Sequence, residues 1–166
     1  MAEVKISDFQ FYLSKGNITA TPTFVLVNKG ITEMSESPNL QSEETHYIAD
    51  ENTTSIDKGY AASFAVTGAL FTSEGTIDPA GKELHDIGYM RKKGEDAERL
   101  LVSIDMSKKT AAQTEFPARQ FKVFVVTDSF TGTAGASKGF SVTLKVQGDM
   151  EVGTFDIEDL TFTPQP

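Results

Sequence analysis

Phe140, Val142, Leu144 and Val146 alternate without a fault with Ser141, Thr143, Lys145 and Gln147. Period-two alternation places one residue set on each face of an extended strand, one face dry and the other wet. A helix does not fit this pattern, because its faces repeat about every 3.6 residues. The same signature recurs along the chain. Over 60–71, Phe64, Val66 and Leu70 oppose Ser63, Ala65, Thr67 and Ala69; over 100–106, Leu100, Val102, Ile104 and Met106 oppose Leu101, Ser103 and Asp105. Over 152–163, Phe155, Ile157 and Phe162 oppose Thr154, Asp156, Glu158, Thr161 and Thr163. Residues 4–11, 23–28 and 116–127 read as further strands, and 31–34 can continue 23–28 past a bulge at Gly30. Residues 128–137 read as a loop, and Gly148-Asp149 as a turn.

One helix interrupts the strands. Asp78 is placed to cap it, with Pro79 at its first position, and Leu84 and Ile87 share a face with Arg91, Tyr89 and Met90 nearby. Arg91-Lys92-Lys93 puts cations on the expected last turn, and Gly94 closes the helix, giving an expected span of 79–94. Gly81 and Gly88 weaken it, so packing against a sheet must hold it. The result is a mainly β, antiparallel sandwich or small barrel of seven to nine strands with one flanking helix, in a single domain over 1–166.

The segment 34–57 departs from this regularity. Glu33, Glu36, Glu43, Glu44, Asp50, Glu51 and Asp57 stand against Lys58 alone, among Ser35, Ser37, Pro38, Asn39, Asn52, Thr53, Thr54 and Ser55. Only 45–49, around His46-Tyr47-Ile48, reads as a brief strand. A connection this long in a compact domain calls for a role of its own, and an acidic loop ordered by a partner is expected.

Chemistry is harder to find. The chain has no cysteine, which removes disulfides, thiolate metal sites and cysteine nucleophiles. Its two histidines, His46 and His85, lack further ligands at metal-site spacing and read as solvated. No GxSxG, GxGxxG or GxxxxGK[ST] motif occurs, and Thr131-Gly132-Thr133-Ala134-Gly135 reads as a hairpin connection. Asp156 and Glu158 fall on one side of the closing strand, where paired carboxylates most often form a wet sheet face. No catalytic residue, metal site or cofactor is therefore expected. Residues 1–5 carry no export signal, and no apolar run approaches the roughly 20 residues of a membrane helix, so no membrane insertion is expected. The net charge of −9 argues against a surface that grips nucleic-acid phosphates.

The residues also carry a resemblance. Gly30-Ile31-Thr32-Glu33, Pro38-Asn39 with Gln41 and Glu43-Glu44, Tyr47-Ile48 and Asn52-Thr53-Thr54 follow one another in an order similar to the major tail tube proteins of siphophages. Gly59-Tyr60, then Lys92, Gly94, Asp96 and Ala97, then 146–149 and 152–156 extend it over most of the chain.

The resemblance implies a two-sheet sandwich whose subunits form hexameric rings stacked into a hollow tube in the virion tail, assembled in the host cytoplasm. Phage DNA would cross the lumen without specific binding. The partners implied are further copies of the chain and tape-measure, tail terminator and baseplate proteins. The acidic loop would bridge rings through Glu43, Glu44, Tyr47, Ile48 and Asn52, and Asp156 and Glu158 are candidates to face the lumen. Three other readings stand beside this one: a related secretion-tube or baseplate ring protein, a carbohydrate-binding β-sandwich, and an enzyme. The absence of Trp and the presence of only four Tyr count against carbohydrate binding.

Overall fold

The computed structural model describes residues 9–27, 30–49, 51–70, 72–73, 76–107, 110 and 112–166. Among them, in chain order, lie β1 (Phe9–Lys15), β2 (Thr23–Val27), β3 (Ile31–Ser37), β4 (Leu40–Thr45), β5 (Thr54–Tyr60), β6 (Ser63–Ala69), β7 (Thr72–Ser73) and β8 (Thr76–Ile77). Helix α1 (Pro79–Tyr89) and a single 3₁₀ turn (Gly94–Ala97) follow. Then come β9 (Glu98–Asp105), β10 (Glu115–Thr131), β11 (Gly139–Val146), β12 (Glu151–Asp156) and β13 (Thr161–Pro164).

Nine strands form one antiparallel sheet in the order β2-β1-β9-β10-β11-β6-β3, with β12 branching from β10 and β13 beyond it. The branch point is the 17-residue β10. One edge of β10 pairs with β9, Phe121 opposite Leu101. Its other edge is shared: the first part pairs with β12, Phe116 opposite Phe155, and the second with β11, Val125 opposite Leu144. β4 with β5, and β7 with β8, make two small separate ladders.

This branching gives the wall β2-β1-β9 two dry faces. Leu13, Leu101, Phe121, Val123 and Val125 point into one core with Phe64, Val66, Phe140, Val142, Leu144 and the helical Leu84 and Ile87. Their strand neighbours Tyr12, Phe24, Val102, Ile104, Phe116 and Ala118 point the other way, into a second core with Phe155. The sheet curls to close both. Phe11 on β1 meets Phe64 on β6 edge-on at 6.2 Å, although three strands lie between them. On the far face Phe155 lies 4.7 Å from Tyr12 and 5.5 Å from Phe24. Such ring pairs add about 0.5–1.5 kcal/mol beyond the area they bury. The mainly β antiparallel sandwich or barrel with one flanking helix is thus present, its two cores sharing one wall.

The helix begins as its sequence dictates: Asp78 accepts a hydrogen bond from the Gly81 amide at 3.1 Å, with Pro79 at the first position. It ends earlier than expected. Arg91 already takes the left-handed conformation (φ 54°), three residues before Gly94 (φ 57°), and the amides of Arg91 and Lys92 bond back to the carbonyls of Gly88 and Ile87. An L-residue there costs about 1–2 kcal/mol. The Arg91 guanidinium offsets part of this by donating to the Gly88 carbonyl at 2.7 Å. The three cations therefore follow the helix instead of completing it. Gly88 is required because a Cβ there would lie 2.0 Å from Thr127 Oγ1 on β10.

Four other expectations are corrected. β2 and β3 do not form one strand; they lie at opposite ends of the sheet order, and Asn28 and Lys29 fall outside the described residues. The first strand among the described residues is Phe9–Lys15, which runs past Phe11 to Lys15, and residues 4–8 fall outside the described ones. β10 runs on to Thr131, crossing a bulge between Thr127 and Ser129 that absorbs Asp128. The closing segment is a hairpin, β12 and β13, and not one strand: Asp156 Oδ1 accepts from the amides of Glu158 and Asp159 and turns the chain.

Candidate assembly surfaces

The long acidic segment is a β-hairpin arm whose first strand ends at Thr45, with no separate strand at 45–49. β3 pairs with β6 up to Ser37 opposite Ser63, and β4 resumes the same register with Leu40 opposite Tyr60. The arm is therefore the outer half of one long hairpin, kinked where Pro38-Asn39 faces Ala61-Ala62. Asn39 holds the kink: it adopts φ 47°, its carbonyl accepts from the Ala61 amide at 3.0 Å, and its side chain donates to the Ala61 carbonyl. Six residues of β4 extend roughly 20 Å past that point.

Among the described residues nothing covers the arm. Leu40, Tyr47, Ile56 and Tyr60 are exposed, and Ile48 at the tip is fully so, at 107% of its reference area. A two-stranded ribbon without a covered face is marginal in water. The ion pair between Lys58 and Glu43 (2.7 Å) does not change this, since both side chains are more than half exposed. Glu43, Glu44, Tyr47, Ile48 and Asn52, the residues singled out for contacts between rings, are all brought to this outer half. Asp50 lies outside the described residues.

The root of the arm is anchored. Arg119 on β10 makes a two-pronged ion pair with Glu36 on β3, at 3.0 and 3.3 Å, and its guanidinium lies 5.3 Å from the Phe121 ring centre. A groove beneath it is lined by Pro38, Tyr60, Phe121, Val146 and Met150. The sheet also leaves edges open: β2, β3 and β13 each pair on one side only among the described residues. Open edges invite strand addition from another chain.

Asp156 and Glu158 are not two carboxylates on one strand face. β12 ends at Asp156, whose carboxylate is engaged in its turn, while Glu158 sits exposed within that turn. His46 is exposed, but His85 is buried and not solvated: its ring stacks on Tyr89 at 5.4 Å, lies 5.1 Å from Phe130, and has Nδ1 3.2 Å from Asp86 Oδ1. Among the described residues no three His, Asp or Glu side chains gather as metal ligands would. No helix among them is long and apolar enough to cross a membrane.

Sequence reasoning missed one node. Arg99 is fully buried and donates Nε–H to Glu83 Oε1 at 2.8 Å and Nη1–H to the carbonyls of Asp96 and Glu98. Glu83 Oε1 also accepts from the Gly16 amide, so helix, wall and the connection after β1 meet at one carboxylate.

No family model matches the sequence, and no curated protein matches it. Solved structures do. The tail tube of SPP1 is similar with a TM-score of 0.62 at 14% identity, over 88% of this chain and 77% of that one. The tail of the empty GTA particle, refined with C6 symmetry, is similar with a TM-score of 0.58 at 11% identity, over 97% of this chain and 99% of that one. The sheath–tube complex of the extracellular contractile injection system PVC follows, with a TM-score of 0.51 at 12% identity over 93% of each chain. At these identities the likeness speaks for the architecture: with a curled antiparallel sheet, a small second sheet and one helix among the described residues, this chain has the fold of phage tail tube subunits.

Proposed function

We propose that the chain is a structural tail tube protein that assembles into hexameric rings, and that the rings stack into the hollow tube of a phage tail. The observation that carries this reading is the arm: an apolar-tipped ribbon that cannot be stable against water alone and must be covered by another chain. The open edges of β2, β3 and β13 supply the second requirement, strand pairing around a ring that leaves no edge free. Similarity to assembled tubes supports both.

In this reading Glu43, Glu44, Tyr47, Ile48 and Asn52 contact the adjacent ring. The charge of −9 suits a wall past which DNA slides, since like charge disfavours binding of the polyanion. With Asp156 engaged in its turn, Glu158 is the carboxylate of that pair left to face the channel. Tape-measure, terminator and baseplate proteins would cap and measure the tube within the virion tail, built in the host cytoplasm. A second reading, the inner tube of a contractile injection system, is favoured by the likeness to the PVC complex. Co-purification with a sheath protein separates the two.

The test is negative-stain microscopy with mass measurement across a concentration series. Six-fold rings and long hollow fibres are expected. Replacing residues 40–60 with Asn-Gly, across the existing Asn39–Ala61 hydrogen bond, should leave circular dichroism and melting near wild type and abolish fibres. A wild-type chain that stays monomeric at every concentration overturns the proposal.

A further inference from the structure

The surface just past α1 mirrors the arm tip with the opposite sign of charge. Tyr89 and Met90 are 60% and 64% exposed, a second apolar pair left largely open among the described residues. Arg91, Lys92 and Lys93 follow at once, all exposed, and their positions are fixed by the tight helix ending described above. Lys138 joins them from the β10–β11 connection, its ammonium 4.9 Å from the Tyr89 ring centre. Neither Lys92 nor Lys93 makes an ion pair among the described residues. Of the acids that follow, Asp96 accepts a hydrogen bond from Asn17, and Glu95 is exposed. In a chain with 24 acidic and 15 basic residues, four cations around two bare apolar side chains form a distinct basic knuckle.

The arm tip has the complementary make-up. Tyr47 and Ile48 are its bare apolar pair, and Glu44 and Glu51 are exposed beside them without an ion partner among the described residues. Glu43 and Glu36 are already paired, with Lys58 and Arg119. Each surface thus offers what the other lacks: an apolar pair to bury and unpaired charge to neutralise. Apolar centres ringed by opposite charge set register and partner choice at an interface.

We propose that the basic knuckle, Tyr89 and Met90 with Arg91, Lys92, Lys93 and Lys138, is the receptor for the arm tip of a second copy of this chain. The inference rests on the arm being the stacking element and names the surface it stacks on. Tyr47 and Ile48 lie against Tyr89 and Met90, while Glu44 and Glu51 face Lys92 and Lys93. Stacking then has an electrostatic component that added salt weakens, because these charges sit at the rim.

Charge exchange in the full chain tests this. Lys92→Glu with Lys93→Glu should raise the concentration needed for tubes by about tenfold or more, since like charges brought face to face oppose docking. Glu44→Lys with Glu51→Lys should do the same, and the four changes together should restore assembly to within about threefold of wild type. All four positions are exposed, so circular dichroism should not change. Recovery in the fourfold variant cannot come from a damaged fold and supports the proposal. Normal assembly of the Lys92→Glu, Lys93→Glu variant overturns it, and so does a fourfold variant that fails while keeping its fold. The arm replacement distinguishes the two levels. If it abolishes tubes while the knuckle variant assembles, the arm stacks rings on another surface. If it too assembles, the arm reading itself falls.

Discussion

Replacing Glu83 with Gln removes one charge and almost no volume, yet it strikes the most constrained polar group in the fold. Arg99 is fully buried, and the Glu83 carboxylate, 2.8 Å away, is its counter-charge. Gln keeps an oxygen for the Arg99 Nε–H and the Gly16 amide, so the hydrogen bonds survive in form. What is lost is neutralisation of a cation held out of water. Removing one partner of a buried pair costs about 3–5 kcal/mol, and the retained hydrogen bonds place Glu83→Gln near about 3 kcal/mol. Against a total stability of about 5–15 kcal/mol that is severe. For a chain of this size it corresponds to a fall in Tm of about 6–12 °C. Urea unfolding below the assembly concentration measures it, and the m-value should not change. Converting both partners to apolar residues, Glu83→Leu with Arg99→Met, should recover much of the loss, because a buried pair and its apolar replacement are often of similar stability. A Glu83→Gln protein within about 0.5 kcal/mol of wild type, the range of a surface change, would refute the reasoning, since Arg99 would then not depend on that charge.

Three further outcomes follow from the same packing. Gly88→Ala gains about 1 kcal/mol in helix propensity but forces a Cβ to within 2.7 Å of the Thr127 Cβ, so Tm should fall, and a rise would show that the helix can lift from β10. Leu84→Asp buries an unpaired charge in the first core, where Leu84 is 1% exposed, and should lower stability by several kcal/mol in calorimetry; an unchanged Tm would place the helix outside the core. Burial pushes the Tyr12 phenol above its ordinary value near 10, so its contribution is complete below that pH and is lost as pH rises through the raised value; Tyr12→Phe should flatten the alkaline limb of a stability–pH profile.

Much of the fold is legible because its signals are local. The alternation over 140–147 survives intact in β11, and Asp78-Pro79 starts the helix where capping chemistry requires. The arm is not legible as a hairpin for the reason it matters. Neither face of β4 or β5 is buried among the described residues, so no dry face imposes an alternation on their sequence. The apparent single closing strand 152–163 hides a turn because Asp156, read as a wet-face residue, uses its carboxylate to bend the chain. Arg99 and His85 failed for a longer-range reason. Their burial is decided by Glu83 and by Phe130 and Phe140, groups brought close only when helix and sheet meet. The acidic segment 34–57 stands out by composition alone, since an unexplained polar stretch is visible before its shape is.

The shared wall also sets the order in which the chain can fold. β1 finds its inner neighbour only when β9 arrives, Phe9 pairing with Asp105, and β9 must in turn be flanked by β10. Neither core can close before most of the polypeptide has left the ribosome, and pairings so distant in sequence make folding slow. The arm is the opposite case: its pairings are local, so its ribbon can form early and transiently, marginal as it is without a covered face. A half-made chain therefore displays Tyr47 and Ile48 before any receptor surface exists to meet them. On the proposed docking, Glu44 and Glu51, which have no ion partner among the described residues, would keep young ribbons apart by repulsion until a finished neighbour offsets their charge.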